Sequence, residues 1–110
     1  MKRDPLSRLG RFWYLVGHTP VGTDDVAVWS DNLEPIEARR VGNTQIGVVS
    51  VSTVFLGVDH QFWSGPPLLF ETMIFGGPQD EFCERYSTWD EAEAGHARIV
   101  AALRAGEVVA

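Results

Sequence analysis

Two dense apolar runs constrain the fold of this chain more than any other feature. The first run, QIGVVSVSTVFLG, begins at Gln45, and the second, LLFETMIFGG, ends at Gly77, with the loop VDHQFWSGPP between them. The first run is rich in valine, serine and threonine, which suit a pleated, half-buried strand and suit a helix poorly. We therefore predict that the two runs form neighbouring antiparallel strands in the middle of a sheet.

Neither predicted strand has a cleanly polar face. Successive side chains of a strand point to opposite sides, so one face of the second run carries Leu69, Glu71, Met73 and Phe75. One helix cannot easily cover both faces of such a sheet. We therefore expect a partner on the face with Leu69, Met73 and Phe75, either a second copy that makes a homodimer or a dedicated partner protein.

Shorter patterns predict further elements before the first run. Residues 1–10 hold three basic residues, a proline and a glycine, and we expect a loose arm there. Residues 11–16 (RFWYLV) predict a short strand. The N-cap residues around Asp24 favour a short helix over roughly 24–33, with a strand at 26–29 as the alternative.

The segments next to the two runs predict a hairpin and an edge strand. Residues 36–41 (IEARRV) predict a strand that turns through Gly42-Asn43 into the first run, since both of these residues accept positive φ. After the second run, Gly76-Gly77-Pro78 breaks the sheet. Residues 80–86 (DEFCERY) then predict a short edge strand, charged as exposed edges usually are.

The last element has the clearest signature. Thr88 and Glu91 form a capping-box pattern that predicts the start of a helix, and Gly106 predicts its end. One apolar stripe with helical spacing follows the cap: Trp89, Ala92, His96, Ile99, Val100 and Leu103. Gly95 predicts a close approach to the sheet. The sequence thus predicts a single α+β domain over residues 1–110, in which a small antiparallel sheet of about four to five strands has this helix on one face and a short helix near the N-terminus.

Composition excludes some classes of function. The net charge is −6, from 15 acidic and 9 basic residues, which argues against direct nucleic-acid binding. A single cysteine, Cys83, fits a reducing compartment. The longest apolar stretch near the N-terminus, 12–16, is shorter than the ~7–15 residues of a secretory signal or the ~20 of a membrane span. We expect a cytoplasmic protein with no membrane contact.

The loop between the two runs carries the main candidate site. Asp59 and His60 are followed by Phe62 and Trp63, so an acid, an imidazole and two aromatic groups lie on a loop between central strands, where ligand sites often form. In the alternative interpretation the segment is a turn, with Asp59 as its cap and both aromatic side chains folded back onto the core. A small-ligand site would add Arg85, with Trp63 stacking on a base and Arg85 meeting a phosphate.

Other residues give weaker signals, and none of them indicates an enzyme. The histidines, His18, His60 and His96, lie on different elements without metal-ligand spacing, and His96 is typical of a packed, hydrogen-bonded core histidine. Glu81 and Glu84 are expected to raise the pKa of Cys83 and weaken it as a nucleophile. Glu71 is expected to pair with Arg39, Arg40 or Arg85 on a neighbouring strand. We predict no catalytic residues, no metal and no cofactor.

Three strings resemble a family of small bacteriophage and prophage proteins: VSVSTVFLGVDH, GPPLLFETMIFGG and ERYSTWDEAEAGHARIV, within residues 47–100. The resemblance implies an intracellular, phage-associated accessory protein without assigned catalytic residues. The leading hypothesis is a module that binds a host or phage protein, such as an inhibitor of host defence. The alternatives are a protein that binds or sequesters a small ligand or nucleotide, and a virion or assembly component.

Overall fold

The two apolar runs form the centre of a four-stranded sheet, as predicted. The computed structural model describes residues 12–33 and 35–109, so the arm predicted for residues 1–10 lies outside the described residues. The described strands are β1 (Phe12–Val16), β2 (Thr19–Thr23), β3 (Arg40–Ile46), β4 (Val49–Phe55), β5 (Phe70–Phe75) and β6 (Cys83–Tyr86). The described helices are α1 (Val26–Asp31), a 3₁₀ turn (Ile36–Arg39) and α2 (Trp89–Arg104). All strand pairs are antiparallel; β1 and β2 form a separate hairpin, and the larger sheet has the order β3-β4-β5-β6.

The predicted turn at Gly42-Asn43 is wrong, because the hairpin turns five residues later, at Gly47-Val48. Gly47 has φ +59°, and the flanking residues Ile46 and Val49 pair, which fits the glycine-first type II′ turn of tight hairpins. Gly42 instead lies inside β3, beside an irregularity in its register. The predicted strand 36–41 is likewise replaced by the 3₁₀ turn and only the start of β3.

The N-terminal prediction is confirmed for the helix but misses one strand. Asp25 caps α1, with its Oδ1 accepting hydrogen bonds from the backbone N–H groups of Ala27 (2.9 Å) and Val28 (3.3 Å), so the helix and not the alternative strand forms there. β2 was not predicted. It contains a proline and a glycine, which β-hairpin strands outside a larger sheet tolerate.

Helix α2 follows its predicted signature closely. Thr88 Oγ1 accepts from the Glu91 N–H at 3.1 Å, while the Glu91 carboxylate accepts from the Thr88 N–H at 3.2 Å. The helix lies on one face of the four-stranded sheet and buries two apolar clusters there. One cluster contains Val51, Ile74, Ile99, Val100 and Val109, and the other contains Phe55, Leu69, Phe70, Tyr86 and Ala92.

Leu69 corrects the prediction for the opposite face of the sheet. It is only 1% exposed and belongs to the core beneath α2, whereas Phe75 is 48% exposed. The alternation that placed it beside Met73 and Phe75 does not reach it, because β5 begins at Phe70. The backbone of Leu69 is hydrogen-bonded on both sides. Its N–H donates to the Tyr86 carbonyl (2.9 Å), and its carbonyl accepts from the Leu56 N–H (2.7 Å).

The face of the sheet opposite α2 is more polar than predicted. The strand registers align its side chains in three rows across the sheet: Arg40, Val54, Glu71 and Arg85; Asn43, Ser52, Met73 and Cys83; and Gln45, Ser50 and Phe75. Each of these side chains is exposed or only partly buried. Serines and amides stand between the apolar groups, so the face is compatible with water.

Candidate functional site

The loop after β4 is held in shape by its own side chains. Asp59 Oδ1 accepts hydrogen bonds from the backbone N–H groups of Gln61 (2.8 Å) and Leu68 (2.9 Å), which lie at opposite ends of the loop. The Gln61 amide bridges the loop in turn, with Oε1 accepting from Trp63 N–H at 3.2 Å and Nε2 donating to the Pro66 carbonyl at 3.3 Å. The backbone around the aromatic pair is therefore fixed by local contacts.

The two aromatic side chains on this loop point into solvent. Phe62 is 76% exposed and Trp63 is 87% exposed, although both are large and apolar. The predicted turn capped by Asp59 is present, but the expectation that Phe62 and Trp63 fold back onto the core is wrong. The ring of His60 contacts Phe62 edge-on, with 6.4 Å between the centroids.

Arg85 lines a groove at the edge of the four-stranded sheet. It lies in an open groove of about 510 Å³ between β6 and α2, and neither His60 nor Trp63 lines that groove. Its Nε also contacts Glu71 Oε2 at 3.0 Å, which is one of the cross-strand pairs that the sequence predicted. The groove at Arg85 thus does not include the two loop residues, and the site expected for a stacked base with a phosphate on Arg85 stays a prediction.

Glu71 also contacts the single cysteine. Cys83 Sγ donates to Glu71 Oε2 at 3.0 Å across the β5–β6 pair. Burial, followed by this hydrogen bond and the charge of Glu71, raises the pKa of Cys83 to about 11. The predicted direction of the pKa shift is confirmed, but its cause is burial and Glu71 instead of Glu81 and Glu84.

A row of polar side chains crosses the core beneath α2, between the two apolar clusters. Its members, in order from β3 across the sheet, are Thr44, His96, Thr53, Thr72, Tyr86, Glu84 and Arg98. Thr53 and Thr72 are completely buried and hydrogen-bonded to each other. We call this row the threonine–histidine chain.

The imidazole of His96 lies at one end of the threonine–histidine chain. Nε2 is 2.8 Å from Thr44 Oγ1, and Nδ1 is 2.7 Å from Thr53 Oγ1. Gly42 makes room for the ring, because a Cβ at that position would lie 2.9 Å from three of its atoms. The prediction of a packed, hydrogen-bonded histidine is confirmed, and burial lowers the pKa of His96.

At the other end, the Tyr86 hydroxyl lies 3.0 Å from Thr72 Oγ1 and 2.9 Å from Glu84 Oε1, and Arg98 forms an ion pair with Glu84. Burial raises the pKa of Tyr86 to about 12, so the phenol keeps its proton at neutral pH. The sequence contains a signal for part of this row, since Thr53 and Thr72 interrupt the two central apolar runs. Their pairing depends on the β4–β5 register, which the runs alone do not fix.

No family model, curated protein or solved structure matches this chain. Within residues 12–33 and 35–109, no group of three or more histidine, cysteine, aspartate or glutamate side chains is arranged to hold a metal ion. None of the helices in the same ranges is both long and apolar enough to cross a membrane.

Proposed function

We propose that this chain is a phage-associated accessory protein that acts by binding a host or phage protein, with no reaction of its own. The observation that carries the proposal is the solvent exposure of Phe62 and Trp63 on a loop fixed by Asp59 and Gln61. Inhibition of a host defence protein is one activity that such binding would serve.

Adjacent exposed aromatic groups are effective binding anchors. Tryptophan is enriched among interface residues that contribute at least ~2 kcal/mol, and burying a large apolar side chain contributes roughly 1.5–3 kcal/mol. A fixed loop also loses little conformational freedom on binding, so more of that energy appears as affinity. The Asp59 and Gln61 contacts supply this preorganisation.

The loop is a stronger candidate for a binding site than the sheet face that the apolar runs indicated. Leu69 is buried in the core, and the remaining apolar residues of that face, including Met73 and Phe75, alternate with polar groups. The homodimer predicted through that face therefore loses one of its three apolar anchors. Trp63, at 87% exposure, is the most exposed large apolar side chain among the described residues.

Site-specific photocrosslinking tests the proposal. A benzoylphenylalanine residue replaces Trp63 in one variant and Val48 or Val108 in the controls, which are 86% and 76% exposed. We expect position 63 to give one discrete protein adduct in host cells, identified by mass spectrometry, and the control positions to give none. Equal adducts from all three positions would contradict a specific site on the loop.

Affinity measurements with the identified partner complete the test. If Trp63 contributes about 2 kcal/mol, Trp63→Ala raises Kd about 30-fold. Val48→Ala removes a similarly exposed apolar side chain elsewhere and should change Kd less than about twofold. A partner that binds wild type and Trp63→Ala equally well would disprove the assignment of the loop.

A further inference from the structure

The proton positions along the threonine–histidine chain follow from its acceptor-only end. The Glu84 carboxylate is ion-paired with Arg98 and can only accept hydrogen bonds. The Tyr86 hydroxyl has one hydrogen and lies 2.9 Å from Glu84 Oε1, so it donates to Glu84. Its 3.0 Å contact with Thr72 Oγ1 is then a hydrogen bond in which Thr72 donates and Tyr86 accepts.

The two buried threonines fix the proton position on His96 in turn. Thr72 gives its hydrogen to Tyr86, so it accepts from Thr53. Thr53 gives its hydrogen to Thr72, so its 2.7 Å contact with His96 requires a proton on Nδ1. Nε2 of the neutral ring is then an acceptor, and Thr44 donates to it across 2.8 Å. Every hydrogen in the row points the same way, an arrangement in which neighbouring hydrogen bonds strengthen one another.

We infer that His96 is an acid-sensitive latch between α2 and the sheet, closed when its imidazole is neutral with the proton on Nδ1. A second proton turns Nε2 from an acceptor into a donor. The Thr44 hydroxyl can then no longer donate to Nε2 and must rotate its hydrogen away. It also places a positive charge beside two hydroxyl groups in a half-buried site, where an unpaired charge is costly. Acid therefore weakens the contact of α2 with β3 and β4.

Among the residues that the structure describes, no charged group offsets the cost of burying a charge on this imidazole. The direct hydrogen-bond partners of the imidazole, from β3 and β4, are the hydroxyls of Thr44 and Thr53. β5 contributes Thr72, and β6 contributes Tyr86 and Glu84, whose charge is already paired with Arg98 from α2. On its own helix, Glu93 precedes His96 by three residues and is exposed to solvent.

The tautomer of His96 can be measured directly by ¹⁵N NMR at pH 7.5. We expect Nδ1 to carry the proton in the wild-type protein. Thr72→Val removes the acceptor of the Thr53 hydrogen, so Thr53 should donate to Nδ1 and the ring should change to the Nε2–H tautomer. Thr72→Ser keeps the hydroxyl and should keep the wild-type tautomer. A wild-type ring with its proton on Nε2, or an unchanged tautomer in Thr72→Val, would overturn the inference.

The pH dependence of stability tests the latch itself. Because the folded pKa of His96 is lowered, the unfolded chain takes up the proton first as pH falls below about 6.5. Stability from this group is therefore present above that pH and lost below it. We expect Tm to fall by several degrees more between pH 7.5 and 5.5 in wild type than in His96→Gln, and His60→Gln to behave as wild type. Equal decreases in wild type and His96→Gln would refute the latch, and the tautomer measurement decides independently if that variant does not fold.

Discussion

The ring of Tyr86 occupies the space that a side chain at Gly95 would need. A Cβ built on Gly95 would collide with the edge and the hydroxyl of that ring. A glycine in the middle of a helix is unfavourable by about 1 kcal/mol relative to alanine, so its position in α2 needs a reason. Here the absent side chain lets the helix lie directly on Tyr86, whose hydroxyl then reaches Thr72 and Glu84.

Gly95→Ala should lower the free energy of unfolding, although alanine is the better helix former. The gain in helix propensity is about 1 kcal/mol, whereas forcing a methyl group into a packed site costs typically 1–3 kcal/mol, with displacement of the Tyr86 hydroxyl in addition. Urea unfolding measures the difference. Ala97→Gly, at an exposed position of the same helix, is the control and should cost about 1 kcal/mol. A more stable Gly95→Ala variant would show that Tyr86 moves without penalty.

The buried pair Thr53 and Thr72 should show energetic coupling. Thr53→Val leaves hydrogen-bonding groups of Thr72 and His96 without a partner in the core, which costs roughly 1–3 kcal/mol. The Thr53→Val and Thr72→Val double variant should lose less stability than the two single variants lose in total, because the two residues share one hydrogen bond. Denaturant titrations of the four proteins give the coupling energy. Ser52→Ala, on the opposite face of β4, should change stability by no more than about 0.5 kcal/mol.

Cys83 should react slowly with thiol reagents. With a pKa of about 11 in place of 9.0, it has roughly 100-fold less thiolate at pH 8 than an unperturbed thiol. Glu71→Gln removes the negative charge beside the sulfur, so it should lower the pKa and speed alkylation by iodoacetamide several-fold. Glu81→Gln should leave the rate unchanged, since Glu71 and not Glu81 contacts Cys83. If Glu81→Gln speeded alkylation more than Glu71→Gln, the raised pKa of Cys83 would be due to Glu81.

Removing both exposed aromatic groups should leave the fold intact. The Phe62→Ala and Trp63→Ala double variant should unfold within about 0.5 kcal/mol of wild type, because neither side chain is part of the core. Phe55→Ala, in the buried cluster, should cost about 3–5 kcal/mol by comparison. Thermal or urea unfolding measures the stability of both variants relative to wild type. A large loss of stability in the double variant would mean that the loop supports the fold, and the binding proposal would lose its main observation.

The elements with strong local signatures were predictable from the sequence. The two central strands follow from their apolar, β-branched runs, and α2 follows from the Thr88–Glu91 capping box with its apolar stripe. The position of the first hairpin turn was not predictable in the same way. Gly42-Asn43 and Gly47-Val48 both fit a turn, and the choice depends on which register places Thr44 and Ile46 under the helix.

The candidate sites also differ in how far the local sequence determines them. Asp59 was recognisable as a loop cap because its contacts lie within nine residues along the chain. The exposure of Trp63 depends on how the loop leaves the core, which no local pattern determines. The threonine–histidine chain was the least accessible, since it joins Thr44 to His96 across 52 positions of sequence and also needs the β4–β5 register.

Helix α2 follows all six described strands along the chain. The strands are therefore synthesised before the helix that covers them. Between Tyr86 and Arg104 the chain has 18 further residues to add, which takes about 1–4 s at typical rates of synthesis. During that interval the side chains of Val51, Phe55 and Ile74 have no helix over them. Until α2 is made, the growing polypeptide therefore carries apolar strand surface of the kind that makes partly folded chains aggregate.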